Sequence, residues 1–400
     1  MRLLHLADLH PANAATMAGQ TVIDPATGLN QSLTDLARAL DYAYTVAVVD
    51  GCCDAVVIPG DVFDSARPHA NEIRVILRAI MLMASKVPVV IVAGNHDISQ
   101  SPSDATALES LKGLENVFIF ERPDTYTLDT SAGPVALCLL PYPTRGRLLA
   151  DQAAADLTPE AVTAAINDGL RALVRGFSAH VSSDMSRDVN GSQGHAHPRH
   201  VLLPRILLAH GSVDGARVGD QPRSLAHDIL LPADAFEAFD YVALGHIHQA
   251  QAVGERAWYS GSLMRNSFGE EHERKGFLLV EVEAGKTPKV EVVPNPFART
   301  YQTVRVADLK TLDLTPGTVY RVKDTVTPEE YAAATRLIAS LPGAIQCDLE
   351  IAREDRARDA GMQAVMSADE AVLRVVTGHV AEAELPALME KHRHLMAEVG

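Results

Sequence analysis

The sequence predicts an α/β sandwich, and three observations carry that expectation. Through about the first 280 residues, short apolar runs alternate with amphipathic stretches, the signature of strands and helices in layers. The runs are rich in β-branched residues, which favour strands. Five of them lead directly into polar clusters built from Asp, Asn, His and Gly.

The elements follow in order. Residues 2–7 read as a strand, and a loop follows with a turn signal at Asp24-Pro25-Ala26-Thr27-Gly28. Leu33, Leu36, Leu40, Ala43 and Ala47 recur at helical spacing, with Gly51 as the stop. Residues 55–59 form a buried strand. Ile73, Ile76, Leu77, Ile80 and Ala84 mark a second helix, and residues 87–93 a strand after it. Residues 135–140 are a strand ended by Pro141-Tyr142-Pro143. Thr158-Pro159-Glu160 opens a helix, with Thr as its cap and Pro in its first turn. Residues 205–209 and 241–244 are short strands, and 277–282 and 290–293 a closing pair. The polar stretch 182–200 reads as a surface loop. A second unit starts near Arg299, with a strand at 318–323, a helix from Thr327-Pro328-Glu329 to about Leu341 and a strand at 344–351. Two helices, around 369–376 and 383–398, end the chain.

At 400 residues, the chain has room for two or three domains at roughly 150 residues each. Its 47% apolar and 22% charged residues describe a globular chain and exclude a disordered one. No apolar run approaches the roughly 18–20 residues that cross a bilayer, so no membrane association is expected. Arg2 and Asp8 interrupt the start too early for a secretory signal. Cys52, Cys53, Cys138 and Cys347 make neither a disulfide framework nor a paired metal motif, which points to the reducing cytoplasm. The adjacent Cys52 and Cys53 read as packing residues. The net charge of -16 is the wrong sign for a protein that simply coats duplex. Any nucleic acid would have to be attracted by bound metal ions or by a basic partner.

The five polar clusters carry the chemistry. They are Asp8-Leu9-His10, Gly60-Asp61-Val62-Phe63-Asp64, Gly94-Asn95-His96-Asp97, His210-Gly211 and Gly245-His246-Ile247-His248. Sites in open α/β sheets form at the carboxyl ends of strands, so clusters in this position converge on one rim. Oxygen and imidazole donors without thiolate suit Mn²⁺, Fe or Zn²⁺. Asp8, His10, Asp61, Asn95, His210, His246 and His248 are too many ligands for one ion and the right number for two. Asp61 can bridge ions about 3.5–4 Å apart, an arrangement that stabilises phosphoryl displacement. The glycines at 60, 94, 211 and 245 fit tight strand-to-loop turns.

In that order the clusters resemble the calcineurin-like metallophosphoesterase superfamily, whose motifs run DxH, GDxxD, GNHD, a lone His and GHxH. The resemblance implies a four-layer αββα sandwich and two divalent ions, Mn²⁺ first, with Mg²⁺, Fe or Zn²⁺ as alternatives. It implies Asp8, His10, Asp61 and His248 as ligands of one ion, and Asp61, Asn95, His210 and His246 as ligands of the other. His96 would protonate the leaving oxygen or stabilise the transition state. Asp97 would orient the His96 imidazole. A narrower resemblance is to the nuclease subunit of SbcCD complexes. It rests on Gly60-Asp61-Val62-Phe63-Asp64-Ser65-Ala66-Arg67-Pro68, Leu139-Leu140-Pro141-Tyr142-Pro143, and Tyr259-Ser260-Gly261-Ser262 followed by Phe268-Gly269-Glu270-Glu271 and Lys275-Gly276. It covers residues 1 to about 300. Pro11-Ala12 departs from the small apolar residue and Gly that usually follow DxH. This likeness implies a nuclease domain over 1–298 and a smaller α+β cap facing DNA or a partner over 299–400. It also implies DNA exonuclease and endonuclease action in repair or end processing, a homodimer, and a large SbcC-type ATPase partner related to the SMC proteins.

Blander readings stand beside these. His195, His197 and His200 lie in the polar loop and read as solvated rather than metal-bound. Arg67 fits a substrate phosphate or a surface ion pair, and Arg265 and Lys275 fit DNA backbone or structural roles. Phe268 and Tyr142 read as packing residues, and the C-terminal helices as core or partner-binding. Two rival functions remain: a small-molecule phosphodiesterase or phosphatase of the same superfamily, and a non-catalytic scaffold protein that binds DNA ends.

Overall fold

The computed structural model describes residues 1–11, 23–99, 106–143, 158–184, 203–217, 229–341, 345–351, 387–388 and 390–391. The strands are β1 (Arg2–His5), β2 (Ala55–Pro59), β3 (Val89–Val92), β4 (Val117–Phe120), β5 (Asp124–Thr130), β6 (Gly133–Leu140), β7 (Arg205–His210), β8 (Ser212–Val213), β9 (Leu230–Leu231), β10 (Tyr241–Gly245), β11 (Gln251–Val253), β12 (Ala257–Tyr259), β13 (Gly276–Glu281), β14 (Lys289–Pro294), β15 (Tyr301–Val304), β16 (Val319–Val326) and β17 (Ile345–Ile351). The α-helices are α1 (Gln31–Ala43), α2 (Ala70–Ala84), α3 (Pro159–Asp184) and α4 (Pro328–Ser340).

Two six-stranded sheets form the core. The first runs β14-β13-β1-β2-β3-β4, and the second β11-β12-β10-β7-β6-β5. Strands β1 to β4 are mutually parallel, as are β12, β10, β7 and β6; the antiparallel β13–β14 pair and β5 and β11 complete the edges. Strand alternation sends successive side chains to opposite faces. Leu3, Val57 and Val90 therefore meet Leu137, Leu139, Ile206 and Leu208 in an apolar layer between the sheets. Leu4, Val56, Ile58 and Ile91 face outward, onto Leu33, Leu36 and Leu40 of α1 and Ile76, Ile80 and Met83 of α2. On the far side Cys138, Leu140, Leu207 and Val242 meet Ile166, Leu170, Val174 and Phe177 of α3. The result is a four-layer α/β/β/α sandwich. Burial on both faces explains why the central strands read as unbroken apolar runs.

Local chemistry sets the helix starts. The Asn30 side chain accepts the Leu33 N–H at 2.7 Å, capping α1. Beyond α1 the chain continues as a π-helical segment, Tyr44–Asp50, to Gly51. Glu72 accepts the His69 N–H at 2.8 Å where α2 begins. Helix α3 carries the predicted loop start, 182–184, as helix: the stretch is polar, but no Gly or Pro precedes Gly191 to stop it. The remainder of that loop, with His195, His197 and His200, lies outside the described residues, as do most of the two expected C-terminal helices. Strands β4, β5, β8, β9, β11, β12 and β15 are additional to the expected set. Of the paired cysteines, Cys53 is buried but Cys52 is exposed, so only Cys53 is a packing residue.

The chain divides into two compact units, Met1–Lys323 with Arg336–Asp348, and Asp324–Thr335 with Leu349–Gly400. Both sheets belong to the first. It also holds β15 paired parallel to β16, with Thr303 opposite Arg321. In the second unit Thr327 caps the start of α4: its Oγ1 accepts the Glu330 N–H at 3.3 Å, and Glu330 accepts the Thr327 N–H at 3.0 Å.

One polar pair sits inside the inter-sheet layer. His5 Nδ1 and Tyr241 Oη are 2.7 Å apart, with both residues fully buried. Burial pushes the His5 imidazole down to about 3, so it is neutral there. Tyr241→Phe is expected to lower stability by about 1–3 kcal/mol, because it strands a buried ring nitrogen. Urea unfolding of the full chain checks this; an unchanged midpoint would show that the bond contributes nothing.

Candidate metal centre

The five polar clusters lie at the carboxyl ends of parallel strands. Asp8 and His10 follow β1, Asp61 follows β2, and Asn95 and His96 follow β3. From the second sheet, His210 ends β7, and His246 and His248 follow β10. The two rims meet closely. A Cβ on Gly245 would stand 1.9 Å from the Pro59 carbonyl oxygen, and one on Gly94 would stand 2.1 Å from Asp61 Oδ1. Side chains at those positions would push the loops apart. Both oxygens of Asp8 accept the His246 N–H, at 2.9 and 3.0 Å, which joins the first sheet's loop to the second's.

The backbone is strained where the donors sit. Among the described residues, six non-glycine residues have positive φ, and four of them are Asp8 (50°), His10 (36°), Asp61 (50°) and His246 (104°). Such conformations persist where surrounding structure over-determines them, and they cluster at functional sites.

The donor atoms converge. Asp8, His10 and His248 form one group, and Asp61, His210 and His246 another, with ligand atoms in each within 4.8 Å of one another. His10 Nε2 lies 3.1 Å from His248 Nε2 and 3.6 Å from Asp61 Oδ2. Asp61 Oδ2 is also 3.3 Å from His210 Nε2. Asn95 Oδ1 lies 3.0 Å from both His210 Nε2 and His246 Nδ1. Ligands about 2.1 Å from a shared ion stand about 3 Å apart at right angles, so these separations fit divalent ions. The donors are carboxylate, amide and imidazole, and Asp61 stands between the two groups.

Outer partners fix the imidazoles. His210 Nδ1 donates to the Pro59 carbonyl at 2.8 Å, so its Nε2 faces the centre. His248 Nδ1 donates to Glu270 Oε1 at 2.9 Å, and His10 Nδ1 lies 3.2 Å from Asp64 Oδ1. Sequence reasoning missed Glu270 and Asp64 as partners. Both lie inside motifs it had singled out, but nothing in sequence spacing shows which carboxylate reaches which ring.

Three carboxylates are buried here: Asp8 and Asp97 are 0% exposed and Asp61 2%. Among the described residues, none pairs with Lys or Arg. Burial pushes Asp61 up, but the His210 charge and hydrogen bond, with His10, outweigh it and hold Asp61 well below the usual range. Asp8 is pushed up, chiefly by burial. Burial opposes charge on His210, yet the Asp61 carboxylate outweighs it and pushes His210 up to about 9. His246 is pushed down to about 3, by burial and then by the His210 charge.

His96 stands on the open side. Its ring is exposed, edge-on to His10 at 4.8 Å, and its Nδ1 lies 2.8 Å from the Asp64 carbonyl. This corrects the expectation for Asp97. Its carboxylate accepts the backbone N–H groups of Gly94 (2.9 Å), Phe63 (2.9 Å) and Val62 (3.3 Å). It therefore ties two site loops together, and the Asp64 carbonyl orients the His96 ring. Burial, with the Asp61 charge, pushes Asp97 up to about 6. Arg265 and Lys275 are structural: Arg265 donates to the carbonyls of Glu270, Glu273 and Arg299, and buried Lys275 pairs with Glu270 and Glu273. Tyr142 packs near His246 and His210, at 5.8 and 6.0 Å between ring centres.

The chain is similar to known proteins. The SbcD component of the SbcCD nuclease of Bacillus subtilis (strain 168) is 28% identical over 302 residues, 72% of this chain and 67% of that protein. The protein of the same name from Staphylococcus epidermidis (strain ATCC 12228 / FDA PCI 1200) is 24% identical over 248 residues, 60% of this chain and 59% of the relative. The solved sulfate thiohydrolase SoxB of Termus thermophilus, in complex with glycerol, is 13% identical with a TM-score of 0.31, over 73% of this chain and 56% of that one. The family model described as Calcineurin-like phosphoesterase matches residues 1–250. With its motifs gathered at one rim of an α/β sandwich, the chain belongs to the calcineurin-like phosphoesterase family.

Proposed function

We propose that this chain is a two-metal phosphodiesterase that cleaves DNA, of the SbcD nuclease kind. The observation that carries the reading is the convergence of seven oxygen and nitrogen donors on one centre, with Asp61 Oδ2 standing between them, 3.6 Å from His10 Nε2 on one side and 3.3 Å from His210 Nε2 on the other. Asp8, His10, Asp61 and His248 would hold one ion, and Asp61, Asn95, His210 and His246 the other. The similarity to two proteins named as parts of SbcCD nucleases supports DNA as the substrate. In this reading, as the motif resemblance implies, the native ion is Mn²⁺ and the chain works as a cytoplasmic homodimer with an SbcC-type ATPase. That partner supplies the basic surface that a chain of net charge -16 lacks. Residues 1–298 act as the nuclease domain and 299–400 as the cap that faces DNA or the partner. Among the described residues, no helix is long and apolar enough to cross a membrane.

A pair of divalent ions supplies Lewis acidity toward the phosphoryl oxygens and makes a water nucleophile available near neutral pH. The chain's own residues do the rest. The outer bonds of His210 and His248, and the Asp64 carboxylate beside His10 Nδ1, hold the three Nε2 atoms toward the centre. His96, exposed and oriented through Nδ1, presents Nε2 to the departing 3′-oxygen and delivers its proton. Asp97 keeps the loops of Asp61 and His96 in register through three backbone N–H bonds. The acidity of the chain favours a second reading, a small phosphodiester substrate that needs no basic surface.

Digestion of end-labelled duplex and single-stranded DNA with Mn²⁺ separates the two. Wild type is expected to degrade DNA, and Asp61→Ala to be inactive. His96→Ala should lose about 10²–10⁴-fold in rate while still binding its ions. Intact DNA alongside hydrolysis of a simple phosphodiester dye would favour the small substrate. Ion uptake at pH 7 should also release protons, because the His210 imidazole, pushed up to about 9, is charged before binding. Calorimetry in buffers of different ionisation enthalpy reads that release; an enthalpy independent of buffer would contradict it.

A further inference from the structure

His248 is held from behind by a carboxylate that is itself fully engaged. Glu270 Oε1 accepts from His248 Nδ1 at 2.9 Å, which leaves the His248 Nε2 lone pair directed at the centre. Glu270 Oε2 lies 2.7 Å from Lys275 Nζ and accepts the Asn266 N–H at 3.1 Å. Buried Lys275 also donates to the His248 carbonyl at 3.0 Å, so one lysine holds both the backbone of His248 and, through Glu270, its ring.

The short turn that carries Glu270, Phe268–Glu270, is fastened in turn to β15 and β16. The Glu271 carboxylate accepts the Thr303 N–H at 2.8 Å and the Thr303 Oγ1–H at 2.5 Å. Arg321 donates to Thr303 Oγ1 at 2.9 and 3.2 Å. Its guanidinium lies 4.6 Å above the Phe268 ring, which also packs edge-on against Tyr301 at 4.9 Å. Contacts therefore run without a break from Arg321 to the His248 imidazole.

We propose that Glu270 is the positioning residue for His248, and that β15 and β16 set it through Phe268 and Glu271. The inference rests on the reading of His248 as a ligand. A carboxylate on the outer nitrogen of a ligating imidazole fixes its tautomer and raises its basicity. Only the ion held by His10 and His248 depends on this bond; the His210 and His246 group does not touch it. A change at Thr303 or Arg321 consequently acts on the affinity of one ion and not of its neighbour.

The test uses the full chain, with Mn²⁺ titrations by calorimetry and ¹⁵N NMR of the His248 ring without metal. Glu270→Ala should weaken one ion by about 10–100-fold, leave the other unchanged and abolish the Nδ1–H preference of His248. Lys275 keeps its bond to Glu273 in that variant, at 2.6 Å, so no buried charge is stranded. Glu270→Gln should restore most of the affinity, because its amide oxygen still accepts the bond. Thr303→Val should weaken the same ion by about fivefold or more. Unchanged affinities and tautomer in Glu270→Ala would overturn the role of Glu270. Weakening in Glu270→Ala with Thr303→Val like wild type would overturn the link to β15 and β16. Wild type that binds no ion would instead defeat the reading of the site itself, and the proposal with it.

Discussion

Three carboxylates buried at one spot, with no lysine or arginine among the described residues beside them, are the constraint on which the rest of this structure depends. Removing a carboxylate from water costs several kcal/mol unless charge and hydrogen bonds replace the lost solvent. Here the replacements are specific. Asp97 takes three backbone N–H groups, Asp61 takes the His96 N–H at 2.8 Å, and Asp8 takes that of His246. The balance must come from cations at the centre. Imidazolium can supply part of it, and a pair of divalent ions satisfies it more completely, with donors already spaced for them.

The sandwich exists to make that concentration possible. Parallel strands in both sheets deliver five loops to one rim, and the apolar layer between the sheets holds the rims in register. The closeness of approach explains Gly94 and Gly245, whose missing side chains leave room for Asp61 and the Pro59 carbonyl. It also explains the strained backbone at Asp8, His10, Asp61 and His246. Packing elsewhere maintains conformations that an isolated loop would abandon.

Much of this was legible in the sequence. The apolar runs gave β2 at its observed bounds and β3, β6, β7, β10 and the β13–β14 pair nearly so, because burial on both faces leaves an unbroken signal. All seven expected donors arrive at the centre, since each directly follows such a run. What was not legible depends on tertiary partners. Strand β5, Asp-Thr-Tyr-Thr-Leu-Asp-Thr, is an edge strand whose polar face hides it. The resemblance implies Asp97 as the orienting partner of His96, yet its carboxylate turns to three backbone amides instead. Glu270 lies 22 residues from His248, and only the fold brings its carboxylate to the ring.

The most direct test of the account is the number of divalent ions bound per chain, measured by equilibrium Mn²⁺ binding for wild type and for Asp61→Asn. Two ions in wild type, with both weakened in Asp61→Asn, is the predicted result, because one carboxylate serves both groups. One ion or none in wild type, or two ions held undiminished by Asp61→Asn, would contradict it.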